Sequence, residues 1–327
     1  MSRGDRERST RRRFLRSSAV ATGAALAGCE TPLADGGTET TEGESAFVMS
    51  FFRTGVEAMH LAVSTDGYDW ETLNGGDPVL RGSVRTETLR DPFLFADRDG
   101  TFHLLSTDGW ESQYIVHATS PDLVEWSDQT ALPVMADVDG AKNAWAPECY
   151  YDHENETYRL LWSSTVETDP GEDYNNRIWS ATTDDFGTVE PAERFVDPGY
   201  EVIDATVISR DGTYHMALKD ERGVNELTTD YKAVRTTTAA DGGGRFDDLS
   251  GLITPSPVEG PTLFRNDGEW WLFYDYFLED RYGASRSTDF ETWETFDDEV
   301  SFPDRPRHAS VLEVDAAVVE GLRDAWG

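Results

Sequence analysis

Five segments of this 327-residue chain open with a residue able to bind or move a proton: Asp91, Glu148, Asp204, Glu259 and His308. The intervals between them are 57, 56, 55 and 49 residues. Taken singly, each acid reads most simply as a turn residue in a chain with 63 Asp and Glu. Four acids and an imidazole at nearly one spacing imply a shared placement, and carboxylates brought close raise one another's pKa. Perturbed acids in a cleft mark functional sites. Carboxyls facing each other across a pocket suit glycoside hydrolysis. One must hold a proton for the leaving oxygen, and another must be ionised to activate water or attack. Trp110, Trp145 and Phe51 or Phe52 are placed to stack on sugar faces, although each also fits an apolar core.

The elements that must carry these residues are short strands. Asp91 leads through Pro-Phe-Leu-Phe into a turn at Asp99-Gly100 and re-enters a strand at Phe102, and the later openings repeat this scheme. Ser64-Thr-Asp-Gly-Tyr-Asp-Trp70, Ser120 to Trp126 and Ser287 to Trp293 share S-x-D-x-x-x-W, with a weaker copy at Thr183 to Val189. Such an Asp turn joins the two outer strands of a sheet, and its Trp plugs the gap to the next sheet. The unit near Phe246 is degenerate. Four-stranded units of this length predict an all-β, five-bladed β-propeller. The chain starts inside a unit and ends with one lone strand, Ala309 to Val314. That strand is expected to pair with the first blade and close the ring. A β-sandwich would leave five related, evenly spaced openings unexplained. The expected propeller spans residues 46–316, with a tail at 317–327.

At the openings the chain resembles glycoside hydrolase family 43. The segments are Arg90-Asp91-Pro92, Ala144-Trp145-Ala146-Pro147-Glu148, Ile203-Asp204-Ala205, Glu259-Gly260-Pro261 and Arg307-His308-Ala309-Ser310-Val311. The resemblance implies an inverting glycosidase with Asp91 as general base, Asp204 tuning and orienting the acid, and Glu259 as general acid. It implies substrates containing arabinose first, then xylose or galactose, in oligosaccharide or polysaccharide. Trp145, Trp110, Glu148 and Lys219 are expected to bind the sugar, with a surface salt bridge as the other reading of Lys219. No cofactor is required. The resemblance also implies calcium at His308, held by one imidazole and several waters; because a hard cation prefers oxygen, His308 reads equally as a satisfied channel residue with no metal. Ala205 stands where many relatives have Pro, and Glu148 where many have Asp. A sugar-binding propeller without hydrolysis is the alternative.

Residues 1–28 read as an export signal. Thr10-Arg11-Arg12-Arg13-Phe14-Leu15 resembles a twin-arginine motif, and Leu26-Ala27-Gly28-Cys29 resembles a lipobox that would lipidate Cys29. The expected location is the outer face of the cell membrane, or secretion. Residues 29–45 form an acidic, flexible linker. Cys149 then has no partner, so no disulfide framework is expected. The net charge of −35 excludes a nucleic-acid partner, because phosphates need a basic surface. Only Lys142, Lys219 and Lys232 accompany 25 arginines, and such a carboxylate-rich, lysine-poor chain suits a halophile, where salt screens self-repulsion. No HExxH, CxxC pair, phosphate-cradling Gly loop or GxSxG elbow occurs.

Overall fold

A computed structural model describes residues 45–167, 173–223 and 232–327. The signal at 1–28, the lipidation site Cys29 and the linker up to residue 44 lie outside the described residues. Ser45, expected to end the linker, already belongs to the first strand.

Among the described residues, nineteen strands form five antiparallel sheets. Blade one holds β4 (Arg90–Ala96), β5 (Phe102–Thr107), β6 (Ile115–Ser120) and β7 (Thr130–Leu132). Blade two holds β8 (Trp145–Asp152), β9 (Thr157–Ser164), β10 (Arg177–Thr183) and β11 (Glu193–Val196). Blade three holds β12 (Val202–Arg210), β13 (Thr213–Asp220) and β14 (Ala233–Ala239). Blade four holds β15 (Glu259–Asn266), β16 (Glu269–Tyr276), β17 (Arg281–Ser287) and β18 (Glu294–Thr295). The closing blade joins the two ends of the fold. Its strand order is β19 (Arg307–Asp315), β1 (Ser45–Arg53), β2 (Val56–Ser64) and β3 (Glu71–Thr72). The register runs from Ala46 opposite Val314 to Ser50 opposite Ser310. The fold is the expected five-bladed propeller closed by its last strand. The degenerate unit near Phe246 corresponds to the three-stranded blade. The expected tail is mostly helix, α1 (Ala316–Trp326), which buries Val319 and Leu322.

Middle strands are packed on both faces, so β2 reads Ala58-Met-His-Leu-Ala-Val63 with no solvent side. Neighbouring blades share apolar layers, the interior of a propeller being face-to-face sheet packing. Trp70 of the closing blade, for example, packs edge-on against Phe273 of blade four. The Asp turns expected between the outer strands are present. Asp66 Oδ1 accepts the Tyr68 and Asp69 amides, and Asp122, Asp185 and Asp289 repeat the pattern two and three residues on. These bonds favour the ionised form and hold all four carboxyls below their ordinary pKa. At Asp66, the more buried of them, desolvation opposes the bonds and is outweighed.

Candidate active site

Each innermost strand begins with the same defect. The ladders slip between Arg90 and Phe93, Trp145 and Glu148, Ile203 and Thr206, and Glu259 and Thr262, and β1 slips against β19 between Ser50 and Phe52. At each slip one residue has positive φ: Asp91 (49°), Ala146 (48°), Asp204 (57°), Gly260 (53°) and His308 (40°). A bulge re-aims the side chains around it. For a non-glycine residue the left-handed conformation costs about 1–3 kcal/mol, so the surroundings must hold it. They do so blade to blade. The Ala146 amide donates to Thr107 Oγ1 at 2.8 Å, the Asp204 amide to Ser163 Oγ at 3.0 Å, and the Gly260 amide to Asp204 Oδ2 at 3.0 Å.

This register corrects one reading of the sequence. Asp91, Asp204 and His308 occupy equivalent bulge positions, and Glu259 sits one residue before its own. Glu148 sits two residues after its bulge, level with Phe93, Thr206, Thr262 and Ser310. It is buried, does not line the cavity, and is hydrogen-bonded by Thr206. Burial pushes its carboxyl well above the usual range. Blade two therefore presents Ala146 and Trp145 where blades one, three and four present acids and the closing blade presents His308.

The bulges open into a cavity of about 740 Å³ lined by Asp91, Asp204, Glu259, His308, Lys219, Trp110 and Trp145, among others. Asp91 accepts a hydrogen bond from the Thr107 hydroxyl at 2.7 Å and lies 3.5 Å from His308 Nδ1. Glu259 is gripped from two sides, by Lys219 Nζ at 3.0 Å and by Arg307 Nη2 at 2.7 Å. Burial alone would raise Glu259, but Lys219 and Arg307 outweigh it and hold the carboxyl at about 2. Asp204 goes the other way. Desolvation, with the Glu259 charge adding to it, overcomes the pull of His308 and Lys219 and raises it to about 6. The two neighbouring acids are thus driven apart, one ionised and one retaining its proton in mild acid.

Lys219 is not a surface residue. It is 1% exposed and also pairs with Glu221 at 2.6 Å, which in turn pairs with Lys232. Trp110 is 57% exposed and meets Trp145 edge-to-face at 5.4 Å, with the Arg90 guanidinium over its ring. Trp145 donates Nε1 to the Trp110 carbonyl at 2.8 Å and lies 4.6 Å from Tyr174. Phe51 and Phe52 are buried core residues and do not line the cavity. Among the described residues no three His, Cys, Asp or Glu side chains converge as a metal-binding group. His308 brings one ring nitrogen, so the residues present do not make a protein cage for calcium.

Sequence reasoning missed Arg307 as a site residue, along with Tyr174, Phe277, Leu278 and the buried Asp275 behind them. Arg307 stood directly before His308 in one of the opening segments, and that adjacency was the available signal. Nothing in the local sequence marks the others.

A family model described as "Probable glycosyl hydrolase domain" and named as related to glycosyl hydrolase family 43 matches residues 43–320. An alpha-L-arabinofuranosidase of Bifidobacterium longum subsp. longum is 27% identical over 185 residues, covering 48% of this chain and 17% of that protein. The chain thus spans less than a fifth of that relative's length. Among solved structures, a thermostable family-43 glycoside hydrolase matches with a TM-score of 0.54 at 16% identity, over 70% of this chain and 80% of that one. A xylan beta-1,4-xylosidase from Bacillus halodurans matches with a TM-score of 0.55 at 18% identity, over 73% of this chain and 48% of that one. At these identities the structural matches speak for the fold.

Proposed function

The chain belongs to the glycosyl hydrolase domains related to family 43, and from that premise we propose that it is an inverting glycoside hydrolase, arabinofuranosidase-like, cleaving arabinose-, xylose- or galactose-containing saccharides. The observation that carries this reading is that Asp91, Asp204 and Glu259, supplied by three different blades, line one cavity beside exposed aromatic surface. In this reading Asp91, oriented by Thr107, is the general base that takes a proton from water. Glu259 delivers a proton to the glycosidic oxygen, and Asp204 beside it tunes and orients that acid. Inversion needs the base and acid carboxyls about 6.5–9.5 Å apart, leaving room for water. Trp110 and Trp145 supply ring faces for the sugar. The relative from Bifidobacterium longum favours arabinose as the first substrate to test.

Export by the twin-arginine route, lipid anchoring through Cys29 and halophilic origin complete the proposal. An enzyme tethered outside the cell would trim oligosaccharides before uptake.

One observation favours the second reading, a sugar-binding propeller without hydrolysis: Glu259 is ionised between two cations in the open cavity. The deciding experiment incubates the protein in high salt with aryl glycosides and with arabino- and xylo-oligosaccharides, following the product anomer by NMR. Release of the inverted anomer supports the proposal. A retained anomer removes the inverting mechanism, and binding without turnover promotes the second reading.

A further inference from the structure

Directly across blade four from Glu259 lies Asp275, its Cα partner in the β15–β16 ladder. Asp275 is fully buried and does not line the cavity. Arg307 reaches in from β19 and serves both carboxyls, donating Nη2 to Glu259 Oε1 at 2.7 Å and Nε to Asp275 Oδ2. Among the described residues, the other oxygen of Asp275, Oδ1, has no hydrogen-bond partner. The groups facing Asp275 from neighbouring strands are Glu259 on β15, Arg307 and His308 on β19, and Tyr282, its cross-strand partner on β17.

An ionised carboxylate buried with an unpaired oxygen is costly, whereas the acid form carries no charge there. Counting charges leads to the same place. Lys219 and Arg307 face three carboxyls, Glu259, Asp204 and Asp275, while Glu221 with Lys232 and Asp91 with His308 form pairs of their own. A buried group balanced toward neutrality keeps one proton among those three acids.

Resting on the reading of Glu259 as general acid, we infer that Asp275 is a positioning residue that shares one proton with Glu259 through Arg307. With the proton on Asp275, the whole guanidinium charge faces Glu259 and keeps it ionised. With Asp275 ionised, Arg307 is drawn toward it and a negative neighbour is added, so Glu259 binds the proton. One carboxyl loses a proton to solvent as the other gains one, and the net charge of the group is unchanged. Burial, reinforced by the Glu259 charge, pushes Asp275 up to about 7, so the shared proton is lost from the pair only in the neutral range. Asp275 acts on Glu259, through Arg307 and through its own charge, and touches no substrate.

The test compares pH profiles of kcat/KM for the wild type and Asp275→Asn, a neutral isostere that still accepts from Arg307. Methyl glycosides, whose leaving group needs a proton, are run beside dinitrophenyl glycosides, whose leaving group does not, with arabinose, xylose and galactose as the sugar. The expected result on methyl glycosides is an alkaline limb moved down by at least about one pH unit, hence a loss of about tenfold or more near neutrality. The dinitrophenyl rates should fall far less. Glu259→Gln run alongside tests the acid assignment by the same contrast between leaving groups. An unmoved alkaline limb in Asp275→Asn, or equal losses on both leaving groups, overturns the inference while the contrast in Glu259→Gln preserves the assignment. No contrast in Glu259→Gln, or no hydrolysis at all, removes the assignment and the inference with it. If Asp275→Asn does not fold, Asp275→Ser, which leaves room for water at Arg307 Nε, carries the same expectation.

Discussion

The Thr107 hydroxyl donates to Asp91 Oδ2 at 2.7 Å. Thr107 Oγ1 in turn accepts the Ala146 amide from the next blade. One side chain therefore orients the proposed base and pins the strained bulge beside it. The strain at the axis and the placement of its acids are one construction.

Thr107→Val should separate these roles from general folding. Losing the hydroxyl leaves the buried Ala146 amide unpaired, at a cost of about 1–3 kcal/mol in chemical denaturation. The rate should fall while KM stays nearly constant. Asp91→Asn and Glu259→Gln should each lower kcat by about 10²–10⁴-fold with circular dichroism unchanged. Wild-type rates in both would end the proposed assignment.

Asp204 makes stability depend on pH in a direction opposite to Glu259. Its folded pKa, raised to about 6 from 3.8, means its contribution is fully present below pH 3.8 and lost as pH rises through 6. Glu259, lowered to about 2 from 4.5, contributes above pH 4.5 and is lost as pH falls toward 2. Asp204→Asn should therefore be more stable than wild type at pH 7–8, by a gain on the order of 1–3 kcal/mol, and converge with it near pH 4. Urea titrations at both ends of this range check the sign. A variant equally destabilised at every pH would contradict it.

Lys219 opposes its own burial by holding two carboxylates, and Glu259 and Glu221 together raise its pKa despite desolvation. Lys219→Met should leave those carboxylates short of a cation and destabilise by about 3–5 kcal/mol. It should also let Glu259 keep its proton to higher pH. The alkaline limb of the activity profile would then move up, opposite to the shift expected for Asp275→Asn.

The chain carries a net charge of −35. If high salt is its working medium, the melting temperature should rise steeply as KCl goes from about 0.1 M to about 1 M, where the Debye length shrinks from about 10 to about 3 Å. A flat response would remove the halophilic reading. The buried pairs around Glu259 are screened much less, so the activity profile's limbs should move little with salt.

The blade count was legible because it rests on local chemistry. Asp66, Asp122, Asp185 and Asp289 bond amides only two and three residues ahead, so each turn declares itself in the sequence. The alternation of aromatic strands around D-G turns is equally local. Glu148 was misplaced because a bulge leaves no sequence mark, and a side chain two residues further along the strand lies past the bulge and outside the cavity. Ala146, which takes the equivalent position, has no chemistry to draw notice.

What the sequence alone determined is the repeat, the order of the blades and three of the acids that open them, Asp91, Asp204 and Glu259, since periodicity and turn-forming residues act over a few positions. Which acids share a cation was decided only in three dimensions. Asp275 is the last but one residue of β16, in an aromatic run, and it meets Glu259 through strand pairing and Arg307 through ring closure. Desolvation and ion pairing depend on those long-range neighbours. The protonation of Glu259, Asp204 and Asp275 is therefore a property of the folded ring.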